Sequence, residues 1–206
     1  MGKRGYYGVN GIECPILYNP PIGDTLPVIL LHGYSFTGET WREVGVLDAL
    51  EKEGISYAAP DMPYGKRTGC TKKSRSLLLN LRAVEEAVSL LGGSPPLIVG
   101  ASLGGRIALY YAAGHEVKGL LLASPAVRDD EEIWELLRRI RVPVMIIRGS
   151  RDFVSPRTHE SLARKLGARL VVYEGAGHVL YRDKPGRFIE DLLNFYTLVA
   201  RANRPS

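Results

Sequence analysis

Six short apolar runs punctuate the chain, at residues 28–31, 55–59, 97–99, 120–123, 144–147 and 170–173. Each is apolar at successive positions rather than alternate ones, and most are rich in Leu or β-branched residues. A strand covered by helices on both faces needs that texture, so the runs predict the buried strands of a parallel sheet. Ahead of them, Val9-Asn10-Gly11-Ile12 sets an Asn-Gly pair between strand-like residues and predicts an N-terminal hairpin across residues 6–18.

Between the runs, apolar positions recur at helical spacing. Thr40-Trp41-Arg42-Glu43 has the form of a capping box, with Trp41, Val44, Leu47 and Leu50 in step and Gly54 as the stop. A longer helix is predicted over 74–91, closed by Gly92-Gly93, and another over 102–113, closed by Gly114. Residues 130–140 open on acids and close on arginines, as the helix dipole favours. Ser155-Pro156 supplies a cap and a first-turn proline for a helix ending at Gly167, and a last helix covers 188–199. Alternating strands and helices predict an open α/β sheet with helices on both faces, in a single domain over 1–206.

The chemistry concentrates in Leu97-Ile98-Val99-Gly100-Ala101-Ser102-Leu103-Gly104-Gly105. A buried strand runs into a helix through G-x-S-x-G, a turn so tight that the elbow positions Gly100 and Gly104 must lack side chains. Ser102 is thereby a candidate nucleophile, with a helix N-terminus behind it to favour an anion. A serine hydroxyl needs a base within reach and a third group to hold that base. Of four histidines, His178 lies just past the last strand, where ligands gather. His32 reads as structural, His115 lies at the far side of the sheet, and His159 lies within a helix. Asp152, immediately past the run 144–147, is the candidate acid, with Asp129 and Asp130 as the alternatives at the preceding strand end. The oxyanion of a tetrahedral intermediate needs two backbone donors. The N–H groups of Leu103 and of Tyr34, in the loop His32-Gly33-Tyr34, are the candidates. Ser35, Phe36, Trp134, Phe153 and Val179 are the candidate substrate-pocket residues.

These features are similar to the α/β-hydrolase superfamily over nearly the whole chain. The likeness is greatest to the small lidless abhydrolase-domain 14 type. Leu30-Leu31-His32-Gly33, Phe36, Glu39-Thr40-Trp41, Asp61-x-Pro63-x-Gly65, Gly175-Ala176-Gly177-His178 and Tyr181-x-Asp183-Lys184-Pro185 carry the likeness. The order Ser102, Asp152, His178 is the superfamily's chain order. The resemblance implies a mostly parallel twisted sheet of about eight strands, the hairpin included, with helices on both faces. It implies a serine hydrolase acting on ester-like acyl groups without a cofactor or metal. Members include carboxylesterases, thioesterases and a group suggested to move acetyl from lysine to coenzyme A. That group departs from G-x-S-x-G at the elbow and this chain keeps it. Relatives often insert a cap between strands six and seven, where residues 124–142 here leave room for one short helix. A minimal cap predicts an open cleft and short or medium acyl chains. The expected activity is that of a carboxylesterase. Its rivals are acyl transfer or thioester hydrolysis with coenzyme A, and a non-catalytic binding module on the same scaffold.

Composition refines this reading. The 206 residues are 45% hydrophobic and 24% charged, the mix of a soluble globular domain. The longest apolar runs fall short of the ~18 residues a membrane helix needs. No apolar segment follows Met1-Gly-Lys-Arg, so a cytoplasmic protein is expected. Net charge is +5. The basic groups at 66–75 and 138–141 lack the aromatic interleaving of a nucleic-acid surface and read as solvated, although 64–69 could favour anionic substrates. The expected partner is a small acyl ester, with neither nucleic acid nor membrane, in a monomer or small homo-oligomer. Two cysteines, Cys14 and Cys70, read as free thiols. The absence of Gln, the five Asn and the 19 Arg against 8 Lys point to a heat-adapted source.

Overall fold

The computed structural model describes residues 2–21, 23, 25–127 and 131–203, and for 131–133 only the backbone. The hairpin forms as predicted: β1 (Lys3–Val9) pairs antiparallel with β2 (Ile12–Asn19), turning at Asn10 and Gly11, both at positive φ. Strands β3 (Val28–Leu31), β4 (Tyr57–Pro60), β5 (Leu97–Ala101), β6 (Gly119–Ala123), β7 (Val144–Gly149) and β8 (Arg169–Tyr173) complete an eight-stranded sheet. Its order is β1-β2-β4-β3-β5-β6-β7-β8. The pairings from β4 through β3 to β8 are parallel, whereas β2 meets β4 antiparallel.

Period-two alternation divides each central strand between two apolar layers. Ile29, Leu31, Ile98, Leu120, Leu122 and Ile146 face one layer. Helices α3 (Leu77–Leu90), α4 (Leu103–Gly114), α5 (Glu131–Leu137) and α6 (Pro156–Leu166) cover it. Leu30, Val99, Leu121, Met145 and Ile147 face the other. There α1 (Glu39–Glu43), α2 (Val46–Lys52), α7 (Leu180–Asp183) and α8 (Pro185–Ala202) close over Trp41, Leu47, Tyr181 and Phe188. Successive apolar residues on one strand therefore serve opposite layers, which is why the runs are continuous. The chain passes from β3 to β4 on one side and then crosses from β4 to β5 on the other side of β3. The loops after β3 and β5 thus meet at the point where strand order reverses.

Three expectations are corrected. Thr40 does not cap a helix: Gly38 stands at the N-cap of α1, Thr40 is buried within it, and Gly45 at φ 80° divides α1 from α2. Ser155 precedes α6 as expected but makes no side-chain cap, although Pro156 and the left-handed Gly167 mark its two ends. Cys14 and Cys70 are not free thiols; they form a disulfide. Pairing of β2 with β4 closes the separation of 56 residues. Asp61 N–H then donates to Pro15 O at 2.9 Å and Thr71 N–H to Glu13 O at 2.8 Å, lacing the two cysteine segments together. Asp129 and Asp130 lie outside the described residues. No helix among the described residues is long and apolar enough to cross a membrane.

Candidate active site

The turn from β5 into α4 places Ser102 at φ 51° and ψ −114°, a strained conformation for a residue with a Cβ. A Cβ on Gly100 would stand 2.7 Å from Gly104 O, and one on Gly104 would collide with the Leu31 carbonyl. The two glycines are thus required by close approach of the elbow to itself and to the end of β3.

His178 connects the other predicted residues. Its Nε2 lies 2.9 Å from Ser102 Oγ and its Nδ1 lies 2.8 Å from Asp152 Oδ1. A carboxylate only accepts, so Nδ1 carries the proton and Nε2 is left to accept from the serine hydroxyl. Asp152 follows β7, and its side chain has 0% exposure against 15% for His178. Burial pushes the Asp152 carboxyl upward. Donors grouped around it, from His178, the Ser124 hydroxyl and Val154 N–H, with the charge of His178, outweigh burial and hold it below the usual carboxylate range. The loops bearing Asp152 and His178 are joined where Arg151 N–H donates to Ala176 O at 2.9 Å.

The loop after β3 abuts Ser102: a Cβ at Gly33 would stand 3.5 Å from Ser102 Cβ. Neither Tyr34 N–H nor Leu103 N–H is taken by another acceptor among the described residues. A buried polar network holds this loop, of which the sequence had marked His32 as structural and Asp61 only as part of the family likeness. His32 Nε2 accepts from Met62 N–H at 2.9 Å, so its Nδ1–H donates to Gly33 O at 2.8 Å. Burial lowers the His32 pKa and keeps the ring neutral. Tyr64 Oη donates to His32 O, while Asp61 accepts from Gly38 N–H and Gly69 N–H at 2.7 Å each.

The predicted pocket residues divide. Phe153, 80% exposed, lies 4.2 Å from the His178 ring, and Tyr34 and Ser35 are exposed beside the oxyanion loop. Phe36 turns its face toward Arg182 and its edge toward Tyr181. Val179 packs into the apolar layer under α8. Trp134 is buried against the α3–α6 layer. It lines a groove of about 470 Å³ with Leu137, Arg138 and Lys165, with the Lys165 ammonium 3.4 Å from its ring centroid. The helix that carries it packs on α4 and α6, so the Trp134 ring is used in that packing. The sequence missed Ser124 and His159, both fully buried, and no motif surrounds either. No group of three metal-ligating side chains occurs among the described residues.

A sheet of this order, with a nucleophile elbow after β5 and a histidine loop after β8, is the architecture of the alpha/beta hydrolases. The chain belongs to the alpha/beta hydrolase family, whose pattern its residues 28–136 match. Within that family it is 30% identical to ABHD14B from Homo sapiens, which is named as a protein-lysine deacylase. That match runs over 175 residues, 82% of this chain and 81% of the human one. A CIB-like hydrolase from Thermoplasma acidophilum is 25% identical, with a TM-score of 0.84 over 95% of this chain and 97% of that one. Carboxylesterase CesB from Bacillus subtilis shares the fold, at a TM-score of 0.78 and 15% identity.

Proposed function

We propose that the protein is a serine hydrolase that cleaves carboxylic esters of short to medium acyl chains through an acyl-enzyme. The observation that carries the reading is the placement of His178 between Ser102 and Asp152, at 2.9 and 2.8 Å. Ser102 Oγ attacks the acyl carbon as His178 Nε2 takes its proton, and Asp152 stabilises the imidazolium. The carbonyl oxygen, now an anion, accepts from Tyr34 N–H and Leu103 N–H. Collapse of the intermediate breaks the bond to the leaving oxygen, which takes the proton from His178. Water then repeats the sequence on the acyl-Ser102 ester and releases the acid. Phe153 and Tyr34 are exposed beside His178 and in the loop after β3, which suits a short acyl group and a leaving group that extends into solvent.

Thioesters with an anionic leaving group are the second reading, favoured by one contact. Lys66 N–H donates to Tyr34 O at 2.6 Å, so the basic loop lies against the oxyanion loop. Its exposed Lys66, Arg67, Lys72 and Lys73 pair with no carboxylate among the described residues. A fluorophosphonate is expected to label the native protein and not Ser102→Ala, and the burst of acylation on an activated ester is expected to vanish in that variant. Persistence of turnover in Ser102→Ala at the native rate refutes the reading. Matched oxyesters, thioesters and acyl-lysine peptides then rank the leaving groups.

A further inference from the structure

Ser124 ends β6 at φ 46°, in the left-handed region, with no accessible surface. Its hydroxyl faces the carboxylate of Asp152. His178 and Val154 N–H both use Asp152 Oδ1, while Oδ2 and the Ser124 hydroxyl are both buried and both left without a hydrogen-bond partner among the described residues. The match is chemically complete, since the hydroxyl has one proton to donate and the carboxylate oxygen can only accept.

The turn at 123–126 is tied to both sides of the triad. Ser102 N–H donates to Ala123 O and Ala126 N–H donates back to Ser102 O, each at 2.9 Å. Ser124 N–H donates to Ile147 O at 2.8 Å, on the strand that leads to Asp152. From outside, the fully buried His159 of α6 donates Nε2–H to Pro125 O at 3.3 Å. Burial lowers the His159 pKa and keeps it neutral, against the opposing pull of the Pro125 carbonyl and Asp152. The charged groups bearing on this cluster are Asp152, His178 and Arg148.

We propose that Ser124 is a positioning residue for the triad acid: its hydroxyl holds Oδ2 so that Oδ1 stays aimed at His178, and His159 anchors the turn that presents it. A carboxylate turns easily about its last bond, and an acid held at one oxygen alone swings away from the imidazole. Removing the donor also concentrates the anionic charge on Asp152, which then binds the His178 proton more tightly.

The inference rests on the serine-hydrolase reading. Its test compares native protein with Ser124→Ala and Ser124→Gly on an activated ester. Glycine accepts the left-handed backbone without strain, so it separates the hydroxyl from the turn. Both variants are expected to lower kcat roughly 10- to 100-fold with KM within about twofold, as loss of a hydrogen bond to a charge implies. The acid limb of kcat/KM is expected to move to higher pH. In an Asp152→Asn background the substitution is expected to change the residual rate by less than about twofold. Native kcat in either folded variant, recovery in Ser124→Gly, an unmoved acid limb, or an undiminished loss in the Asp152→Asn background each overturn the proposal. Failure of the native protein to take a fluorophosphonate overturns the serine-hydrolase reading instead. A labelled native protein with unaltered variants removes only the role of Ser124.

Discussion

Asp152 has no exposed side-chain surface, yet its carboxyl is held charged by the donors converging on it. Replacing it by Asn leaves the shape intact and removes the charge that fixes the His178 tautomer. Asp152→Asn is expected to lower kcat by roughly 10³–10⁴ with little change in KM, measured by steady-state kinetics on an activated ester. A loss under about tenfold would move the acid elsewhere. Phe153 represents the opposite case: it is 80% exposed, with its ring tilted against that of His178. Phe153→Ala is expected to leave the unfolding midpoint within about 0.5 kcal/mol of native and to raise KM for aryl esters. Ser102, Asp152 and His178 were legible because each follows an apolar run, and strand ends converge in a parallel sheet. Ser124 also follows such a run, but its use depends on a left-handed backbone and an orphan carboxylate oxygen, which no local pattern encodes.

Elements were legible where their signals were local and illegible where a distant strand decided the outcome. The hairpin, the elbow and the two ends of α6 follow from residues in immediate succession. The break at Gly45 was hidden, because the apolar positions Trp41, Val44, Leu47 and Leu50 keep helical spacing across it. The disulfide was hidden because pairing of β2 with β4 is a long-range event. That bond anchors the basic loop, whose Lys66 in turn contacts the oxyanion loop. On the chain-entropy account, a crosslink of this span stabilises the fold by about 4 kcal/mol. Reduction is expected to lower the denaturant midpoint by a corresponding amount, with thiol titration rising from none to both cysteines. An unchanged midpoint on full reduction would sink the expectation. If the loop steers substrate, Lys66→Ala/Arg67→Ala is expected to raise KM for an anionic thioester severalfold at ~0.05 M salt. The difference is expected to fade by ~0.5 M, where screening is strong. A matched neutral ester serves as the control, and an equal change in its KM would assign the effect to loop packing.

Across the whole molecule, the neutral core holds two titratable rings that the catalytic reading does not charge. His32 clamps the oxyanion loop, and His159 braces the turn beyond β6; both are fully buried, and burial lowers both pKa values from 6.5. The folded state therefore resists protonation at pH values where the unfolded chain accepts it. Their contribution is fully present above pH 6.5 and is lost as pH falls below it, because the unfolded state then binds more protons. Each ring can remove at most about 1.4 kcal/mol per pH unit, and the two together about 2.7. Asp152 acts in a lower window: its depressed folded pKa gives stability that is retained above 3.8 and lost below it. Acid destabilisation is thus expected to begin between about pH 6.5 and 5, well before the carboxylates titrate. Denaturant unfolding at intervals from pH 7.5 to 5 measures it, and a flat stability over that range would show that these rings take up protons as readily in the folded state as in the unfolded chain. His159→Asn is expected to reduce the slope by about half. An activity profile taken below pH 6.5 would therefore include this loss of the fold, and chemistry separates from stability only when unfolding is read alongside the rate.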